Sequence, residues 1–182
     1  MLNFINFLNM LNFVKAERGT NELIEATNNA MSIIDLYPDI FPHLYKQGFK
    51  LEKYFEKGNV ILQDGVIITF GRYKSKGRFS KNATTYKKSG DFILHQIASN
   101  GSVKDGAKNV LNEFIQYCKR ERAENLFLTV REFNTKAVNF YLKNGFVIDS
   151  KIHWTSKKDG VIPGLVFRLR LVADKNIETV CI

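Results

Sequence analysis

Two cysteines are too few for a disulfide framework, and Cys118 and Cys181 do not form a CxxC metal pair. This sparse cysteine usage reads as an intracellular, cytoplasmic chain. Cys181 is next to last, so the end does not carry the prenylation pattern, which needs Cys fourth from the end. No His/Cys/carboxylate cluster points to a metal. Repeats, linkers and low-complexity tracts are absent. The first residues are apolar from Met1 to Val14, but Asn3, Asn6, Asn9 and Asn12 interrupt them. That pattern lacks the early positive charge of a signal peptide and the roughly 20 apolar residues of a membrane span. It reads as a packing arm, residues 1–12, leading into a first strand. Acidic residues are also short in number: 18 Asp and Glu stand against 27 Lys and Arg, for a net charge of +9. A positive field favours anionic partners without specifying a fold.

What is present is an ordinary globular composition, 45% hydrophobic and 25% charged, over 182 residues. That length suits one domain with one core. Fifteen Phe and seven Tyr argue against disorder. Leu23, Ile24, Met31, Ile34 and Tyr37 fall on helical spacing between Asn21 and Tyr37, with Thr20 or Asn21 as cap and Pro38 as stop. A second helical stretch covers Leu51 to Glu56 and ends at Gly58. The period then changes. Val60–Leu62 and Val66–Tyr73 flank Asp64-Gly65, a pair suited to the positive φ of a tight hairpin turn. A basic loop runs from Lys74 to Gly90, and a strand from Asp91 to Ser99. In the helix Gly106–Arg120, Ala107, Val110, Leu111, Phe114, Ile115 and Cys118 make one apolar stripe. Leu126–Arg131 reads as a buried strand. Asn134 caps a helix with Ala137, Phe140 and Tyr141 on one side, and Gly145 closes it. Phe146–Trp154 and Gly164–Val172 read as a last strand pair, with Asp159-Gly160 in the turn. The tail, 173–182, is polar. Strands alternating with helices predict an α/β domain with a mixed sheet.

The segment Val130 to Phe146 carries Val130, Asn134, Ala137, Phe140, Tyr141, Gly145 and Phe146. This resembles the V-x-x-x-N-x-x-A-x-x-F-Y-x-x-x-G-F signature of the GNAT N-acetyltransferases. The resemblance implies a mixed, mostly antiparallel central sheet flanked by helices, with an acyl-CoA loop between strand 4 and helix 3. It implies acetyl-CoA as cofactor and an amine-bearing acceptor, whether small molecule, peptide or nucleic acid. A homodimer is a further expectation. The family's cofactor loop, Q/R-x-x-G-x-G/A, falls on residues 97–108. Ser102 takes the Q/R position, Asp105 the first Gly and Ala107 the last position.

A helix start offers unpaired N–H groups and partial positive charge, which suits the pyrophosphate of coenzyme A. Gly106 and Ala107 are small enough for close approach, Lys104 and Lys108 add charge, and Val103 lies in the same loop. Asp105 departs from the glycine pattern and reads as a helix cap. By resemblance, Ile97 and Ser99 hold the pantetheine through backbone groups, Asn134 reaches the cofactor, and Tyr141 protonates the leaving sulfur. Asp91 falls where histone-acetylating members carry a catalytic Glu. Asp91 and His95, four apart on a strand, share a face. Either serves as base, or water alone does.

The segment Arg72–Lys88 holds Arg72, Lys74, Lys76, Arg78, Lys81, Lys87 and Lys88 with Tyr73, Phe79 and Tyr86 among them, and no acid. Cations with interleaved rings are used to track phosphates and stack bases. The alternative expectation is therefore a GNAT-like protein that binds or modifies nucleic acid, similar to tRNA-acetylating or DNA-modifying relatives and to small phage-encoded members.

Overall fold

The computed structural model describes residues 11–38, 51–79, 83–156 and 160–171. The chain divides into two compact units, Met1–Thr69 with Gln96–Phe114, and Phe70–His95 with Ile115–Ile182. The elements in chain order are β1 (Phe13–Val14), α1 (Asn21–Ile34), α2 (Glu52–Glu56), β2 (Val60–Gln63), β3 (Val66–Arg72), β4 (Gly77–Arg78), β5 (Tyr86–Lys87), β6 (Phe92–Ser99), α3 (Gly106–Arg120), β7 (Asn125–Arg131), α4 (Thr135–Lys143), β8 (Val147–Ser156) and β9 (Gly160–Arg170). Seven strands form one sheet in the order β1-β2-β3-β6-β7-β9-β8, and β4 and β5 form a separate two-stranded ribbon. The pairs β1–β2, β2–β3, β7–β9 and β8–β9 are antiparallel, while β6 and β7 run parallel. The architecture is the expected mixed, mostly antiparallel sheet with flanking helices. β6 is followed by α3, and the loop between them occupies the place where the acyl-CoA loop is expected.

In the first unit the core gathers Leu23, Ala26, Ala30, Ile33 and Ile34 of α1 around Phe55, Val60, Ile67 and Ala98. Thr20 caps α1, its hydroxyl accepting the Leu23 N–H at 3.2 Å. Ile24, expected on the apolar stripe, is 57% exposed. At about 100° per residue, Leu23, Ala26, Ala30 and Ile33 define the buried face and Ile24 falls off its edge. The Asp64-Gly65 turn between β2 and β3 has φ of 53° and 68° at its two residues. Positive φ at both positions matches the right-handed twist of the flanking strands.

In the second unit, Phe92, Leu126, Phe127, Phe146 and Phe167 are fully buried. β7 pairs with β9 over its whole length, Asn125↔Arg170 to Arg131↔Gly164. Its parallel ladder with β6 covers only Phe92↔Leu126 to Leu94↔Leu128. β8 and β9 form a hairpin reaching back to Ser156 and Gly160, longer than the sequence suggests. The segment read as a plain basic loop contains the β4–β5 ribbon. Two-residue strands carry no alternation to read. Among the described residues no helix is long and apolar enough to cross a membrane, and no group of His, Cys, Asp and Glu is placed to hold a metal ion. Residues 1–10, Lys81, Val172 and the polar tail lie outside the described residues.

Candidate functional site

The loop from β6 to α3 is built by its own turn chemistry. The Ser99 hydroxyl accepts the Gly101 N–H at 3.1 Å, and Asn100 Oδ1 accepts the Ser102 N–H at 2.9 Å. Short polar side chains bonding the backbone two residues on make such turns. The loop is fastened to the hairpin turn, where the Gly65 carbonyl accepts the Asn100 N–H at 2.9 Å. A side chain at Gly65 would meet Asn100 Oδ1 at 2.1 Å and Ser102 Oγ at 2.3 Å. Ser99, whose backbone groups are expected to hold the pantetheine, already has its carbonyl engaged by the Tyr37 hydroxyl, which donates to it at 2.5 Å.

Asp105 has φ of 57°. That left-handed conformation favours glycine and admits Asp more readily than most residues. The position aligned with the first Gly of the family loop thus has a glycine-like backbone. The Asp105 carbonyl accepts the Asn109 N–H at 3.0 Å and so opens α3. Gly106 is buried, and a Cβ there would lie 3.3 Å from the Asp64 carbonyl oxygen. Its lack of a side chain lets α3 start close against the hairpin. Ala107 is half-buried, and Val103, Lys104 and Lys108 are exposed. Among the described residues no backbone acceptor meets the N–H groups of Val103, Lys104, Asp105, Ala107 and Lys108. Five donors at a helix start form an anion-binding feature. An open depression of about 480 Å³ also lies along α1, lined by Arg18, Thr20, Thr27 and Glu52 among others, and contains none of the expected site residues.

In the second unit, Asp91 is buried and its carboxylate is heavily engaged. It accepts N–H groups from Lys88 at 2.8 Å, Glu124 at 3.1 Å and Asn125 at 2.9 Å, and the Asn125 side-chain amide at 3.2 Å. These bonds tie the start of β6 to the start of β7. His95 is exposed at its surface, although protein on its flanks lowers its pKa through desolvation. Gly71 leaves room for the ring: a Cβ there would sit 3.1 Å from His95 Nε2. Asp91 and His95 therefore differ in environment despite their shared spacing.

Asn134 caps α4, Oδ1 accepting the Ala137 N–H at 3.1 Å. Tyr141 is 5% exposed, its ring 5.5 Å from that of Phe146 and 5.9 Å from that of Phe167. Burial pushes its hydroxyl pKa well above 10. The basic segment separates into paired and unpaired cations. Arg72 meets Glu121 at 2.8 Å and Lys88 meets Glu124 at 2.6 Å. Lys87 lies 4.2 Å above the Tyr73 ring, and Arg78 Nε donates to the Tyr86 hydroxyl at 2.9 Å. Lys74 and Lys76 are exposed.

Sequence reasoning missed Tyr37, Asn100 and Gly65 as supports of the loop. The Ser99-Asn100-Gly101-Ser102 composition is a legible turn signal. The Tyr37 contact, 62 residues from Ser99, has no local sign.

A family model described as the Acetyltransferase (GNAT) family matches residues 30–146. No curated protein matches the chain. Among solved structures, Naa20 from Chaetomium thermophilum in complex with a bisubstrate analogue is similar, with a TM-score of 0.60 and 14% identity over 79% of this chain and 81% of that one. Ard1 from Thermoplasma volcanium gives a TM-score of 0.50 and 15% identity over 70% and 81% of the two chains. At these identities the likeness is one of fold.

Proposed function

The chain belongs to the acetyltransferase (GNAT) family, and on that premise we propose that it transfers an acetyl group to the nitrogen of an amine-bearing acceptor. Acetyl-CoA is the family's donor and supplies an acetyl group activated as a thioester. The residues before α3 fit such a donor. The observation that carries the reading is the set of five N–H groups without backbone acceptors, three up to Asp105 and two after Gly106, around a glycine-like Asp105. These donors, with the Lys104 and Lys108 ammonium groups, suit the pyrophosphate. The Asp105 carboxylate opposes this charge, while its left-handed backbone is one that Asp adopts more readily than most residues.

The chain's own groups cover the proton movements. An amine acceptor is protonated at neutral pH and must lose a proton to become nucleophilic. The His95 imidazole takes that proton in this reading. Its lowered pKa keeps it neutral and able to accept. Asp91 holds the β6 and β7 starts together, and its four accepted hydrogen bonds make it a positioning group. Burial raises the Tyr141 pKa, so its hydroxyl is protonated when the acceptor attacks; in this reading it would give that proton to the leaving sulfur and regain one, through water, from the His95 imidazolium. Asn134 spends Oδ1 on its cap, which leaves its side-chain amide N–H₂ to donate to the cofactor. Ile97 and Ser99 contribute backbone groups from β6.

The test is thiol release from acetyl-CoA with panels of small amines, peptides and oligonucleotide acceptors. Acceptor-dependent release, lost in His95→Gln, is the expected result. Release that never exceeds the buffer rate with any amine class would overturn the reading.

A further inference from the structure

We propose that the β4–β5 ribbon is a docking surface for a single-stranded nucleic acid. This does not rest on acetyl transfer. The ribbon has two chemically distinct faces, set by its register of Gly77↔Lys87 and Arg78↔Tyr86. Neighbours along a strand point to opposite faces. Phe79 points inward, its ring 5.7 Å from that of buried Phe127 and 6.4 Å from Tyr73. Tyr86 and Arg78 share the outer face, with the guanidinium 5.3 Å from the ring centroid. Tyr86 is 54% exposed.

The ribbon is also fixed in place. The Thr84 hydroxyl donates to the fully buried Asp149 carboxylate at 2.9 Å, and the Ser89 hydroxyl donates to the Lys74 carbonyl at 3.2 Å. Its two root cations, Arg72 and Lys88, are matched by Glu121 and Glu124. Lys74 and Lys76, leading into β4, have no such match among the described residues. No acid occurs anywhere from Arg72 to Gly90. A surface already held by its own hydrogen bonds and ring contacts loses less ordering entropy on binding. The charge is thus paired at the ribbon's root and left without an acid at Lys74 and Lys76 among the described residues.

The exposed ring decides the partner's class. An acidic peptide offers carboxylates to the lysines but leaves Tyr86 unused. A single strand offers phosphates to the lysines and an unstacked base to the ring, with Arg78 beside it. Three to four neutralised phosphates give a log–log salt slope of about −2 to −3 for a single strand, or about 20- to 50-fold weaker binding between 50 and 200 mM salt.

Anisotropy of a labelled single-stranded oligonucleotide against the full chain tests this. Lys74→Gln/Lys76→Gln should weaken binding and flatten the slope by about 1.4. Tyr86→Ala should weaken binding at least about fivefold without changing the slope. The proposal is overturned if the lysine pair has no effect, or if polyglutamate of equal charge competes as well as the oligonucleotide while Tyr86→Ala is silent. Acetyl-CoA binding of the same variants should match the parent. Oligonucleotide binding by a chain that ignores acetyl-CoA would sink the acetyl-transfer reading and leave this one standing.

Discussion

Replacing Gly65 by Ala should damage stability together with the loop before α3 that is proposed to hold the cofactor. Gly65 has φ of 68°, where a side chain costs about 1–2 kcal/mol. The added Cβ would also stand 2.1 Å from Asn100 Oδ1 and 2.3 Å from Ser102 Oγ. Asn100 must rotate away, and the Ser102 N–H then loses its acceptor at 2.9 Å, a further loss of about 0.5–1 kcal/mol at an exposed site. The sum is about 2 kcal/mol, which for a chain of this size lowers Tm by about 4–8 °C. Gly101 supplies the control. It has φ of 74°, but a Cβ added there would meet nothing within 4 Å, so Gly101→Ala carries the backbone strain alone. Thermal unfolding of both variants, with acetyl-CoA titrations, is the assay. Gly65→Ala should be the less stable by about 1 kcal/mol and should bind acetyl-CoA more weakly. Equal losses in the two variants would refute the crowding argument.

Tyr141→Phe keeps the ring packing and removes only the hydroxyl, so turnover should fall about tenfold or more with acetyl-CoA binding intact; unchanged turnover would remove Tyr141 from the chemistry. His95 must be neutral to accept a proton, and its pKa is lowered. Activity should therefore rise with pH through a limb centred below about 6.5 and stay high above it. His95→Gln should abolish that limb and cut kcat about 100-fold; a limb that persists in the variant belongs to another group. Asp91→Ala strips the acceptor from the N–H groups of Lys88, Glu124 and Asn125, for a loss of about 3 kcal/mol or more in chemical denaturation. Asp91→Asn that folds normally yet has no turnover would make Asp91 the base.

The parts of the fold that sequence reveals are those with local causes. Asp64-Gly65 carries the turn in its own backbone preference, and Asn134 and Gly145 mark the ends of α4, Gly145 with φ of 83°. The stripe on α3 is buried as Val110, Leu111, Phe114, Ile115 and Cys118. On α1 the buried face runs through Ala26 and Ala30, whose small side chains give little hydrophobic signal, and exposed Ile24 misleads for the same reason. Of the candidate site, what is legible is helix chemistry: Asn134 caps α4 as its sequence position suggests, and the start of α3 leaves backbone N–H groups without backbone acceptors. The site was not legible at Asp91, whose role depends on N–H groups 33 and 34 residues away. Nor could spacing separate Asp91 from His95. Their difference is one of burial, which only the packed strands decide. The close packing of Gly106 on the Asp64 carbonyl, between segments far apart in the sequence, also has no local sign.

Calorimetric titration of the full chain with acetyl-CoA, alongside free CoA, tests the central claim most directly. The account predicts saturable binding in the micromolar range at about one donor per chain, weakened when Lys104 and Lys108 are both replaced by Glu. No heat at millimolar acetyl-CoA, or binding indifferent to those two substitutions, would contradict it.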